Sequence, residues 1–209
     1  MKRSIIILSA FIFSITCAAA QNGRCNSLMK SVADKYLKSE GTAINFTLKT
    51  KSGDRIINQT SGSIKLKGEK FAISTPEMES WYNGKNAWSY IKGGNEVNLT
   101  QPDVDELIKI NPYILLRDYK KRFECSYGGK QDNLETVILK PINANDEIKS
   151  AKITIDGKHL RPTRIEVTGR DNLKTVVNIT DYRSEMNFDN SVFVFDQKRY
   201  PNIEIIDLR

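Results

Sequence analysis

The sequence predicts a mainly β protein of the α+β class. It would be a strongly curved sheet or partly closed, incomplete barrel of about eleven antiparallel strands, with one N-terminal helix and two short helical inserts. Three observations carry that prediction. From residue 42 onward, apolar and polar residues alternate with a period of two, the mark of strands with one buried face. Turn residues interrupt the alternation at short, even intervals, as antiparallel hairpins require. Only residues 25–39 carry a long stripe of helical period, and only residues 102–118 lose the strand period in mid-chain.

The first twenty residues read as a cleaved export signal. Lys2 and Arg3 supply the positive start, Ile5 to Ile15 the apolar run, and Ala18-Ala19-Ala20 before Gln21 the small residues of a cleavage site. The apolar run is shorter than the ~20 residues that a bilayer span needs. Cys17 offers a lipid-acceptor cysteine as a third reading, for which Ile15 and Thr16 are poor neighbours. Cleavage leaves 189 residues (209 less 20), numbered 21–209, as a single exported domain able to bury a core. Losing Lys2 and Arg3 lowers the formal charge from +7 to +5. A basic protein outside the cytoplasm meets anionic lipid headgroups or polymers rather than nucleic acid. With cations scattered among acids everywhere but Lys120-Lys121-Arg122, the charge reads first as a solvated surface.

Along the chain, Leu28, Met29, Val32, Ala33, Tyr36 and Leu37 form one apolar helical stripe that Gly41 ends. That stripe predicts a helix closing one side of the sheet. Cys25, at its start, and Cys125 are the cysteines left after cleavage. In an oxidising compartment an even pair favours a disulfide over two separate buried thiols. A strand follows over 42–50, with Ile44, Phe46 and Leu48 on one face, and Ser52-Gly53-Asp54 turns it into a second from Arg55 to about Thr60.

The central meander, residues 62–99, alternates through Ile64 and Leu66, Phe71 and Ile73, Met78 and Tyr82, and Trp88 and Tyr90. Its turns sit at Gly68-Glu69, Thr75-Pro76, Asn83-Gly84 and Gly93-Gly94. Asn-Gly predicts a tight type I′ hairpin, whose two central residues both need positive φ. In the 102–118 insert, Asp103, Asp105 and Glu106 favour a helix start, and Asn111-Pro112 separates Leu107, Ile108 and Ile110 from the second greasy turn, Tyr113 to Leu116. Two readings stand for this insert: a plug of ordinary core, or a lid over a cavity that the sheet leaves open. Strands then resume at Phe123, Leu134, Ala151, Arg164 and Lys174, with two more expected at Phe193–Phe195 and Ile203–Ile206.

No catalytic constellation is visible. His159 is the single histidine and follows an Asp-Gly turn, so a multi-histidine metal site is impossible and no nucleophile has a matched base. Each glycine that could cradle a phosphate sits where a turn explains it. Enzyme is the disfavoured class, and neither a cofactor nor a metal is expected.

The ordered set Gly62-Ser63-Ile64-Lys65-Leu66, Phe71, Pro76 and Asn83-Gly84-Lys85-Asn86-Ala87-Trp88-Ser89-Tyr90 resembles the LolA family of periplasmic lipoprotein carriers. Asn111-Pro112-Tyr113-Ile114-Leu115-Leu116 is similar to the family's apolar lid, and Phe193-Val194-Phe195 to its C-terminal Phe-x-Phe segment. The resemblance implies short lid helices enclosing a hydrophobic cavity in an incomplete barrel, in a monomeric periplasmic protein. It also implies acylated lipoproteins as cargo, received from an inner-membrane lipoprotein-releasing transporter and passed to an outer-membrane acceptor. The expected lining is Phe46, Leu48, Ile64, Leu66, Phe71, Ile73, Trp88 and Tyr90 from the sheet, with Leu107, Ile110, Ile114 and Leu115 from the lid. A lipid binder or envelope-stress sensor of the same fold, or a structural module with a filled core, remain as alternatives. Two positions depart from the family. Gly68-Glu69-Lys70 replaces the Arg-Pro whose arginine hydrogen-bonds the lid, leaving that latch absent or taken over by Lys70, and residues 196–201 replace a Pro-x-Gly turn.

Overall fold

The computed structural model describes residues 22–209 except Leu37, Pro112 and the side chains of Arg117 and Asp118. The export signal, Cys17 and Gln21 therefore lie outside the described residues. Helix α1 (22–36) is followed by β1 (Thr42–Ser52), β2 (Arg55–Lys67), β3 (Lys70–Ser74), β4 (Met78–Tyr82), β5 (Ala87–Ile91) and β6 (Glu96–Thr100). Helices α2 (Val104–Ile110) and α3 (Ile114–Arg122) come next. Then follow β7 (Phe123–Gln131), β8 (Leu134–Pro141), β9 (Ile148–Asp156), β10 (Arg161–Gly169), β11 (Leu173–Arg183), a 3-10 turn (Asn190–Phe193) and β12 (Glu204–Asp207).

The twelve strands of the described residues join one sheet in the order β12-β6-β5-β4-β3-β2-β1-β11-β10-β9-β8-β7. Each sequential neighbour in that order pairs antiparallel up to β6, and β1 joins the halves by pairing both β2 and β11. The sheet does not close, since β7 and β12 are its two edges. Several details differ from the sequence expectation, beginning with twelve strands in place of about eleven. Residues 55–67 form one continuous strand, because Gly62 lets β2 run past the Phe46 ring. A Cβ there would stand 2.5 Å from the Ser74 carbonyl and 3.0 Å from that ring. Phe193 ends a 3-10 turn rather than starting a strand, with the Asp189 carboxylate accepting from the Ser191 N–H as its cap. Strand β12 pairs parallel to β6, since a crossing segment rather than a hairpin leads into it.

The Asn83-Gly84 hairpin also departs from type I′. Four residues link β4 to β5, and the Asn83 carboxamide oxygen accepts from the N–H groups of Lys85 and Asn86, at 3.0 and 2.8 Å. Gly84 carries the positive φ, +98°. The side chain supplies the turn that the backbone would otherwise make.

Cross-strand partners share a face, so the register sorts the core. Thr42, Ile44 and Phe46 stand opposite Leu66, Ile64 and Gly62, and Leu66 and Ile64 stand opposite Phe71 and Ile73. On the other half Val177, Ile165, Ile153 and Val137 form a row across β11 to β8. These residues make one hydrophobic core with α1, whose buried side chains are Cys25, Leu28, Met29, Val32, Ala33 and Tyr36. The concave face of the sheet thus wraps the N-terminal helix. A disulfide joins Cys25 of α1 to Cys125 of β7, with Cα atoms 5.8 Å apart. Beside it, Arg24 grips Glu135 of β8 through two nitrogens, and the Tyr127 hydroxyl donates to the same carboxylate at 3.0 Å. Burial alone would raise the Glu135 pKa, but these partners outweigh it and hold the carboxyl below its ordinary value.

Candidate functional site: a lidded concave face and its mouth

Helices α2 and α3 cover the concave face. Helix α2 begins where Asp103 caps it. The Asp103 carboxylate accepts from the Glu106 N–H at 2.9 Å, and the Glu106 carboxylate accepts from the Asp103 N–H at 3.1 Å. It stops at Asn111, which is extended as a residue before proline prefers. The buried Asn111 side chain then accepts from the Tyr113 N–H at 3.1 Å, turning the chain into α3. Leu107 and Ile108 from α2, and Ile114, Leu115, Leu116 and Tyr119 from α3, point into the same core as α1 and the sheet.

The lid is shut. Its own side chains occupy the interior that the family resemblance implies as a cavity, and the space left between α1, β2 and the lid is about 30 Å³. That is room for a water molecule and not for an acyl chain. Tyr36 and Tyr113 border this space with ring centroids 5.4 Å apart. Their hydroxyls are buried without a hydrogen-bond partner among the described residues, and burial holds both phenols protonated far above the usual tyrosine range.

Ion pairs fasten the lid at its rim. Arg122, the last residue of α3, binds Asp105 of α2 and Asp146 of the β8–β9 loop, the latter at 2.7 Å. Lys109 pairs with Glu147 at 2.7 Å. Lys70 does not serve as the lid latch, because its ammonium donates to Asn190, 2.8 Å away near the C-terminal segment.

Where α2 ends its cover, the concave face stays open. An apolar pocket of about 550 Å³ lies between α2 and strands β1, β10 and β11. Thr50, Ile108, Ile148, Val167, Leu173 and Thr175 line it, and Asp105, Lys109, Glu147, Arg170 and Asp171 ring its entrance. Its size falls within the roughly 300–1,000 Å³ of ordinary ligand pockets. Ile108 and Ile148 belong at once to this mouth and to the closed core, so the pocket adjoins the core through apolar side chains.

Of the expected lining, Phe46, Ile64, Leu66, Phe71, Ile73, Leu107, Ile114 and Leu115 gather in the lidded core, and Leu48 and Ile110 pack at its margin. Trp88 and Tyr90 do not join them. Tyr82 and Ala87 pair on the concave side, so Trp88, one residue on, faces the other way. Trp88 and Tyr90 form a second cluster with Val97, Leu99 and Phe195 on the convex face, backed by Trp81 and Tyr200. Strand β5 is apolar on both faces at this point, and alternation alone could not say which was inside. The mouth residues Ile148, Val167 and Leu173 were missed. Val167 keeps the period-two face of its strand, a usable signal, but nothing local marks where a lid ends.

These features define a class: an open, curved sheet wrapping a helix, with an apolar concave face under a small helical lid. The family model for the outer membrane lipoprotein carrier protein LolA matches residues 16–171, and the chain belongs to that family. An outer-membrane lipoprotein carrier protein from Actinobacillus succinogenes is 26% identical over 188 residues, covering 87% of this chain and 88% of its own. Among solved structures, an uncharacterized conserved protein from Thermus thermophilus is similar with a TM-score of 0.58 at 10% identity, over 86% of this chain and 96% of that one. A LolA superfamily protein from Nitrosomonas europaea gives a TM-score of 0.47 at 9% identity, over 82% and 97%. The likeness to the Thermus protein is one of fold.

Proposed function

We propose that the protein is a non-enzymatic periplasmic carrier that shelters the acyl chains of lipoproteins on its concave face while they cross to the outer membrane. The observation that carries this reading is the apolar mouth beside α2, continuous with a core that the lid itself fills. Exposing an acyl chain to water costs about 0.8 kcal/mol per CH₂, so cargo of this kind needs an apolar enclosure. A lid whose side chains fill the space in the empty state protects that enclosure from collapse and aggregation. Cargo would displace Leu107, Ile114 and Leu115 together as the rim ion pairs of Lys109 and Arg122 open and α2 and α3 lift, exchanging one apolar partner for another in the interior. That exchange permits release. Loading would come from a lipoprotein-releasing transporter of the inner membrane, and unloading to an acceptor at the outer membrane.

The test has two arms. Native mass spectrometry after gentle purification should find bound lipid or lipoprotein, and the empty protein should take up an apolar fluorescent probe. Absence of both would leave a filled structural core. Depletion followed by membrane fractionation should leave lipoproteins at the inner membrane. Normal sorting alongside clear lipid binding would favour a lipid binder or stress sensor instead.

A further inference from the structure

Beyond cargo binding, we infer that the β1–β2 hairpin end is a docking surface for an anionic lipid bilayer. The hairpin closes through Gly53 and Asp54, with Gly53 at φ +59°. Just past the turn, Ile56 and Ile57 lie side by side in sequence, each 45% exposed. A register shift at this point in the β1–β2 ladder leaves Ile57 without a partner, while Ile56 stands opposite Lys51. Two adjacent isoleucines left in water at the end of the hairpin lose apolar burial with no packing gain.

The charges around them are mostly positive. Lys49 and Lys51 from β1, Arg55 from β2 and Lys174 from β11 surround the tip, and Lys51 stands directly opposite Lys174. Like charges placed opposite each other are destabilising. Among the described residues, none of these four cations has an ion-pair or hydrogen-bond partner. Arg170, in the adjacent β10–β11 turn, bonds the backbone carbonyl of Ala144. The acids of the two turns are Asp54 and Asp171, and Asp171 is engaged with the Leu173 N–H at 2.9 Å. A pair of apolar side chains inside a collar of free cations matches the interface of a membrane bearing anionic headgroups. A modest apolar anchor or a few basic residues alone binds membranes only marginally, and the two together bind stably. Thr50, Leu173 and Thr175 belong to the same strand ends and line the mouth on the other face of the sheet from Lys51 and Lys174, so the docking tip and the mouth share one end of the molecule.

The experiment is sedimentation of the full mature chain with vesicles of phosphatidylethanolamine and phosphatidylglycerol, against vesicles of phosphatidylcholine. The wild type should partition to the anionic vesicles, and added salt should weaken it. Ile56→Ser with Ile57→Ser should lower the partition coefficient roughly ten- to thirty-fold. Each of Lys51→Gln and Lys174→Gln should lower it about five-fold. Ile142→Ser, which removes an exposed isoleucine elsewhere, should change nothing. All these positions are exposed or at a strand margin, and unchanged thermal transitions would show the variants folded. Equal binding by the double isoleucine variant, or no binding by the wild type, overturns the inference. So does a concentration-dependent dimer that the same variant abolishes, which would assign the tip to a second copy of the chain. Probe uptake should survive in the isoleucine variant, so this inference and the carrier reading fail separately.

Discussion

The two faces of the central meander both carry apolar stripes and lie under different covers. On the concave side Ile64, Leu66, Phe71 and Ile73 meet α1 and a pair of short helices anchored by ion pairs at one rim. On the convex side Trp81, Trp88 and Tyr90 meet Phe195 and Tyr200, with Phe195 and Tyr200 stacked at 5.2 Å between centroids. The Tyr200 hydroxyl donates to Glu79, and both burial and that carboxylate push its pKa up to about 12. The concave cover consists of two short helices, α2 closed by the Asp103–Glu106 capping box and α3 begun after the Asn111 turn with no side-chain cap of its own. The convex cover is an irregular segment held through ring contacts of Phe195 with Trp81 and of Tyr200 with Trp81 and Tyr90. On the carrier reading proposed above, the concave cover lifts to admit cargo and the convex cover stays in place.

That contrast can be broken by experiment. The largest effect should come from Trp88→Ala, which should lower stability to urea by about 3–5 kcal/mol while the folded fraction keeps its uptake of an apolar probe. Loss of uptake by the folded variant would put the convex face back in the site. Replacing Cys25 and Cys125 together by Ser should cost about 2–5 kcal/mol, seen as a lower urea midpoint, because the bridge pins α1 against an edge strand. At the mouth, Leu173→Asp should reduce probe uptake at least ten-fold with a stability change within roughly 1 kcal/mol, since Leu173 is only half-buried.

A pH experiment sharpens the anchoring of α1. Glu135 has its pKa held below 4.5 in the folded state, so the stability it contributes is present above pH 4.5 and is lost as pH falls through the lower folded value. Glu135→Gln should therefore flatten the acid limb of the stability profile, and an unchanged limb would mean that other carboxylates dominate. The smallest effect is expected from Tyr113→Phe. Its hydroxyl has no partner to lose among the described residues, so the change should be neutral or slightly stabilising in thermal melts. Clear destabilisation would reveal a hidden hydrogen bond at the lid.

Chain order and local chemistry were sufficient for most of the architecture. Alternation of period two located β1, β3, β4, β5 and the strands from β7 to β11, and the apolar stripe from Leu28 to Tyr36 located α1, because these signals need only neighbours in sequence. The Asn111-Pro112 step divided the lid for the same reason. Three things waited for the tertiary structure. The side of the sheet that each stripe faces depends on what comes to cover it, and for Trp88 and Tyr90 the cover arrives more than a hundred residues later as Phe195 and Tyr200. Strand β12 pairs with β6 across a similar span, and no local turn announces a parallel partner. Whether the concave space stands open or is filled by Leu107, Ile114 and Leu115 depends on the docking of whole helices, which sums many long-range contacts that no stretch of sequence contains.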